Sequence, residues 1–169
     1  MRFKPFIIEY LQGTKFSNGI VVDIACSKEK NIDRLSFLEE LVKGKKTIHL
    51  GCCDHLSLIE EKKSKDLWLH ARLCRHSQKC IGIDLNNEGI EFLKNKLGYE
   101  DVFCLDITQP NKNIIHSSKW DYMILGEILE HVDNPCDFLY KINENYAGYV
   151  DSLVISVPNA LSWQNIKYT

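Results

Sequence analysis

At 169 residues, with 44% apolar and 26% charged side chains, the chain has the size and composition of one soluble domain with a buried core. A formal net charge of −2 removes any electrostatic case for nucleic acid as its main partner. No apolar run approaches the roughly 18 residues of a membrane span, and Glu9 interrupts the apolar start, so neither a transmembrane helix nor a signal peptide is expected.

The first thirty residues are read as a strand-rich extension (1–30). A strand is expected over Gly19 to Ala25, paired with Phe6 to Leu11. From residue 31 to 169 helix-like and strand-like stretches alternate, the pattern of a mostly parallel α/β sheet. Asn31-Ile32-Asp33 can cap a helix whose Leu35, Leu38, Leu41 and Val42 share one face, with Gly44 ending it. A first strand, Lys46 to Leu50, runs to Gly51. Glu60 to Asp66 is polar and reads as an exposed loop or helix tip before an amphipathic helix from Leu67 to Leu73. Cys80 to Ile83 forms a second strand closing on Asp84. Asn86 or Asn87 then caps a helix with Ile90, Leu93 and Leu97 inward, stopped by Gly98. Asp101 to Leu105 is a third strand closing on Asp106, and Trp120 to Leu125 a fourth reaching Gly126. Asn134-Pro135 opens a helix carrying Phe138, Leu139 and Ile142, and Tyr149 to Val157 is the fifth strand.

The seven cysteines (Cys26, Cys52, Cys53, Cys74, Cys80, Cys104 and Cys136) are odd in number and irregularly spaced. That predicts free thiols in a reducing compartment, hence a cytoplasmic protein. No C-x-x-C pair supports a zinc ribbon, and most of the cysteines read as small buried hydrophobes.

Small or acidic residues close four successive strands: Gly51, Asp84, Asp106 and Gly126-Glu127. In open parallel sheets ligands bind beyond the carboxyl ends of the strands. One such aspartate is ordinarily a helix cap, but a series of them points to a site.

The segments Ile48-His49-Leu50-Gly51-Cys52-Cys53-Asp54-His55, Trp68-Leu69-His70, Ile81-Gly82-Ile83-Asp84, Val102 to Asp106, Trp120 to His131 and Ile155 to Asn159 occur in this order. In them the chain resembles the class I S-adenosylmethionine-dependent methyltransferases, particularly the branch with ubiquinone-type O-methyltransferases and enzymes linked to surface polysaccharides. The resemblance implies a Rossmann-like α/β fold with S-adenosyl-L-methionine as cofactor. It implies that Gly51 lets the backbone approach the cofactor while the amides of Cys52, Cys53 and His55 meet its carboxylate. By the same resemblance Asp84 accepts from the ribose hydroxyls with Leu85 beside it, Asp106 faces the adenine amino group with Ile107 on the ring, and Gly126 and Glu127 lie near the methionine end. Glu127, Glu130 and His131 would share a face if their turn is helical. Related quinone enzymes carry a similar group near a divalent metal. With no fourth ligand visible the group is read without a metal, Glu130 and His131 being candidate general bases.

Two departures stand out. The family's further glycines are replaced by Cys53 and His55, whose side chains are expected to occupy space near the cofactor. The family's sheet normally continues beyond the fifth core strand, so the sheet reads as truncated there, with an open edge that invites homodimer formation. The expected activity is methyl transfer to a small-molecule or glycan acceptor, for instance a hydroxyl. The alternative is a non-catalytic methyltransferase-like binding module. A nicotinamide enzyme is disfavoured, because G-x-G-x-x-G is absent and only Gly51 stands in its place.

Overall fold

The computed structural model describes residues 6, 9, 10, 14–16, 33–110 and 114–159. The chain divides into two compact units, Met1–Asn31 and Ile32–Thr169. In the first, Phe6, Glu9 and Tyr10 take helical rather than extended backbone. The Glu9 carbonyl accepts from the Thr14 and Lys15 amides at 3.0 and 3.1 Å, and its carboxylate pairs with the Lys15 ammonium. The strand expected over Gly19 to Ala25 lies outside the described residues.

The second unit carries a five-stranded, all-parallel sheet. Its strands are β1 (Lys46–Leu50), β2 (Lys79–Asp84), β3 (Val102–Cys104), β4 (Trp120–Gly126) and β5 (Val150–Ser156), in the order β3-β2-β1-β4-β5. This is the expected Rossmann-like α/β class. The order reverses between β1 and β4, so the strand ends part there and open a crevice.

The central strands were legible because β1, β2 and β4 alternate side chains between two covered faces. Ile48 and Leu50 of β1, Ile81 and Ile83 of β2, and Met123 and Leu125 of β4 form one core with Ile142 and Tyr146. Those last two belong to the helix Pro135–Tyr146, which therefore covers that face. The opposite face meets the helices Arg34–Val42 (α1) and Leu69–His76 (α3), through Leu38, Val42, Leu69, Leu73, Cys80 and Ile124. A third cluster joins Cys52, Cys53, Ile59, Trp68, Ile90, Leu93 and Val102, tying in the helices Leu56–Ser64 (α2) and Asn87–Leu97 (α4). The helix Pro135–Tyr146 is α5.

The helix ends follow the capping chemistry read from the sequence. Asp33 accepts from Ser36 N, Asn86 from Gly89 N and Asn134 from Asp137 N, each side chain satisfying one of the amides a helix start leaves open. Of the two readings for Glu60 to Asp66, loop or helix tip, the second holds: the segment is largely the end of α2. Only Ile59 of that helix is buried, so its polar composition concealed it. Local electrostatics sustain it, with Lys62 and Lys63 in the last turn and a Glu61–Lys65 pair at 2.5 Å. Among the described residues no helix is long and apolar enough to cross a membrane.

The α1–α3 contact carries a bidentate ion pair: Arg72 Nε and Nη2 each lie 2.5 Å from a Glu39 carboxylate oxygen. Both side chains are largely covered, and the guanidinium holds the Glu39 carboxyl below its usual range against the cost of its burial. A carboxyl depressed in the folded state stabilises fully above its unfolded value of about 4.3, and that contribution fades as the pH falls through the folded value. We therefore expect Glu39→Gln to cost about 1 kcal/mol near neutral pH, solvent screening keeping the loss small. The difference from wild type in urea midpoint should shrink toward zero on acidification, and an offset independent of pH would contradict the assignment.

Candidate functional site

The cleft is built on the turn that follows β1. Gly51 takes φ +69°, a conformation costly for any residue with a Cβ, and its N–H donates to the Ile83 carbonyl at 2.8 Å. A Cβ there would stand 2.8 Å from Ile128 Cδ1, so the bend and the loop after β4 approach each other at this point. Asp84, at the end of β2, fixes the bend from the other side. One carboxylate oxygen accepts from Cys53 N at 2.9 Å and the other from Asn86 N at 3.0 Å. Each oxygen keeps a second acceptor direction.

Two cavities meet along this seam. The first, about 540 Å³, holds the charged side chains of the site: its walls include Arg34, Asp54, Lys62, Glu127, Glu130 and His131, beside Leu67, Trp68 and Ile128. The second, about 470 Å³, is more apolar and runs over the ends of β2 and β3, past Leu85, Leu105, Asp106, Ile107 and Phe138. Gly51, Asp84, Ile128 and His131 border both. The strand-end residues singled out in the sequence thus share one rim.

The expected site residues fare differently in detail. Gly51, Asp84, Gly126, Glu127, Glu130, His131 and His55 line the first cavity, and Leu85, Asp106 and Ile107 the second. Asp106 Oδ1 accepts from both the amide and the hydroxyl of Thr108, at 2.9 and 2.7 Å, which steadies it at the rim. Cys52 and Cys53 turn their side chains into the core instead, at 0% and 1% exposure. Cys53 packs on Gly89, where even a Cβ would approach its Sγ to 2.7 Å, so its thiol does not fill the cleft. Only the backbone of these two residues is available at the turn. Glu127, Glu130 and His131 do not form a common helical face, because Glu127 has φ +58° and the helical turn spans only Leu129–His131.

Trp68 and His70 are buried, at 1% each. The Trp68 indole N–H donates to the Cys52 carbonyl at 3.1 Å and so clamps the bend. Its ring meets those of His70 and Tyr99 edge-on.

Sequence reasoning missed several residues that shape the first cavity. Arg34, from the first turn of α1, lies 3.4 Å from Glu127 and 3.2 Å from Ser156 Oγ. Lys62 lies 2.6 Å from Asp54, which itself has φ +48°. Neither cation is near a strand end in sequence, and nothing local marks it. His49 is also at the cleft, buried to 2%, with its Nδ1 3.3 Å from His70 Nδ1. Burial first, then His70 and Arg34, hold it far below the usual histidine range, so it stays neutral. Its Nε2, near Gly126, has no hydrogen-bond partner among the described residues. A period-2 reading could have flagged it, since its neighbours Ile48 and Leu50 occupy the opposite face.

No protein-family model matches the sequence, and no curated protein does. Solved structures do resemble it. The sugar N-methyltransferase KedS8 from Streptoalloteichus sp ATCC 53650 is 14% identical with a TM-score of 0.50, over 94% of this chain and 55% of its own. An S-adenosylmethionine-dependent methyltransferase from Clostridium acetobutylicum ATCC 824 is 14% identical with a TM-score of 0.47, over 75% and 49%. Coclaurine N-methyltransferase, solved with N-methylheliamine and SAH, is 20% identical with a TM-score of 0.47, over 92% and 45%. The chain spans about half the length of these structures. The likeness establishes a shared fold.

The bend can be tested directly. Gly51→Ala should lower unfolding stability by about 1–2 kcal/mol, the cost of a left-handed conformation with a Cβ. Adding Ile128→Ala should not recover that loss, because it relieves the contact and leaves φ unchanged. Full recovery in urea denaturation would show that crowding, not backbone conformation, governs the turn.

Proposed function

We propose that the second unit is an S-adenosyl-L-methionine-dependent methyltransferase domain, transferring a methyl group to a hydroxyl of a sugar or another small molecule. The observation that carries this reading is the meeting, at Gly51 and Asp84, of a cavity walled by charged side chains with a more apolar one. An adenosyl group needs an apolar slot with acceptors at its edge, and an amino-acid tail needs a polar one. The residues present fit both requirements.

In this reading Leu85, Ile107 and Phe138 provide apolar walls for the adenine, with Asp106 accepting from its exocyclic amine. Asp84, still carrying acceptor capacity on both oxygens, takes the ribose hydroxyls. The tight bend at Gly51 brings backbone amides to the tail carboxylate, and Arg34 and Lys62, paired with Glu127 and Asp54, line the same cavity. Glu127, paired with Arg34, faces the ammonium end. S-adenosylmethionine would supply a sulfonium-bound methyl group already activated for in-line displacement. What remains for the chain is positioning and proton removal. Glu130, exposed in the first cavity, and His131, exposed where the two cavities meet, are the groups suited to accept a proton from a hydroxyl acceptor.

Calorimetry with S-adenosylmethionine and S-adenosylhomocysteine tests the cofactor. Heat of binding is expected, with affinity falling roughly tenfold or more in Asp84→Ala through loss of a charged acceptor. Because Asp84 also supports the bend, Asp106→Ala is the companion variant: its carboxylate holds only its own loop, and weakened binding there reports on contact with the ligand. Folded protein that gives no heat, or wild-type affinity in both variants, would overturn the assignment. Transfer of a radiolabelled methyl group to a panel of sugars and phenols, reduced in His131→Ala and Glu130→Gln, tests the catalytic part.

A further inference from the structure

Behind the floor of the cleft, on the face covered by α1 and α3, lies a cluster that the methyl-transfer reading does not use. His70 and Cys74 stand one turn apart on α3 and so project from the same side of the helix. Cys80, in the first turn of chain on β2, faces them. One ligand atom from each lies within 4.8 Å of the other two, and Cys74 Sγ is 3.6 Å from His70 Nε2. We propose that His70, Cys74 and Cys80 form a binding site for a thiophilic divalent cation, zinc above all.

The geometry supports this in four ways. First, zinc bonds of about 2.0–2.3 Å to nitrogen and sulfur place tetrahedral ligand atoms roughly 3.5–4 Å apart, so the cluster needs only a small contraction to close on the ion. Second, two thiols and an imidazole are a borderline-soft donor set, suited to zinc and unsuited to magnesium or calcium. Third, an entry path exists: Cys74 and Cys80 border a cavity of about 490 Å³ that Tyr99, Glu100 and Asp101 also line, leaving room for a water or the Asp101 carboxylate as fourth ligand. Fourth, His70 has an outer partner. A ligating histidine ordinarily gives its other ring N–H to an acceptor. Bound through Nε2, the nitrogen nearer Cys74, His70 would donate from Nδ1 to His49 Nδ1, 3.3 Å away.

The cation also accounts for a packing oddity. The His70 ring is 1% exposed, and its recorded polar neighbours are another imidazole and a thiol. Buried polar groups are ordinarily paired with stronger partners than these. The ring fits only because β2 carries Gly82 beneath it, where a Cβ would come within 2.8 Å of His70 Cε1.

The test uses the full chain, reduced and freed of metal, titrated with cobalt(II) and then zinc(II). One cobalt per chain is expected, with a thiolate-to-cobalt charge-transfer band that one equivalent of zinc bleaches. Cys74→Ser and Cys80→Ser should lose the band, and Cys136→Ser, at an exposed position of α5, should keep it. Absence of the band in folded protein, or its survival in Cys74→Ser, overturns the proposal; survival would move the ion to the neighbouring Cys52–Cys53–Asp84 group. A second measurement avoids folding effects of the variants: zinc should protect Cys74 and Cys80 together from alkylation, mapped by mass spectrometry. Equal alkylation with and without zinc, or a Cys74–Cys80 disulfide recovered in both samples, would also refute it. Neither readout involves methyl transfer, so this proposal and the cofactor reading succeed or fail separately.

Discussion

The carboxylate of Asp84 is the constraint on which the cleft depends. It joins the turn after β1 to the loop after β2 by accepting one backbone amide from each, Cys53 N and Asn86 N. Without it the bend at Gly51 would lean only on the Ile83 carbonyl and the Trp68 indole. A charged acceptor serves well in this position because bonds to an ionised oxygen are shorter and stronger than those between neutral groups. The bend lies at the point where the strand order reverses, and Asp84 borders both cavities there.

The rest of the sheet makes that point rigid. β1 is buried along nearly its whole length and flanked on both sides by parallel partners. Its alternation sends Ile48 and Leu50 to the face under α5, while Thr47 and His49 meet the helices opposite. A one-residue slip would exchange those faces, placing an imidazole among isoleucines and leucines. The position of Gly51 at the end of β1 is thus set by packing well below the cleft. The ion pair between Glu39 and Arg72 adds a further tie between α1, which carries Arg34 into the cleft, and α3.

Much of this was legible in the sequence for a plain reason. Strands that alternate between two buried faces, helices opened by Asp33, Asn86 and Asn134, and stops at Gly44 and Gly98 are local signals written within a few residues. The rim residues were legible because a strand's end fixes where its next residue lies. What escaped was of two kinds. α2 has a single buried residue, so no apolar period marked it. Arg34, Lys62 and Asp54 reach the first cavity from helices and turns whose relative placement is a tertiary fact. The direction of the Cys53 side chain was equally hidden: a positive φ at Gly51 and Asp54 turns the chain so that the thiol meets Gly89 in the core.

His49 links these two levels of organisation. A buried imidazole costs desolvation, and two of them side by side in a sheet-helix interface cost more. The chain accommodates the pair with a specific concession: Gly82, directly opposite His49 in the β1–β2 register, leaves the space that the His70 ring occupies. Glycine inside a strand weakens it, so a position held open in the centre of a sheet calls for an occupant that makes good the loss. Two rings meeting through Nδ1 can share only one proton between those atoms, and whichever ring donates leaves the other as acceptor. The protonation of the cleft-facing Nε2 of His49 is then set by what His70 does on its far side, among Cys74 and Cys80. The sulfur cluster and the floor of the cleft are in this way chemically adjacent, because the path between them is two imidazole rings long.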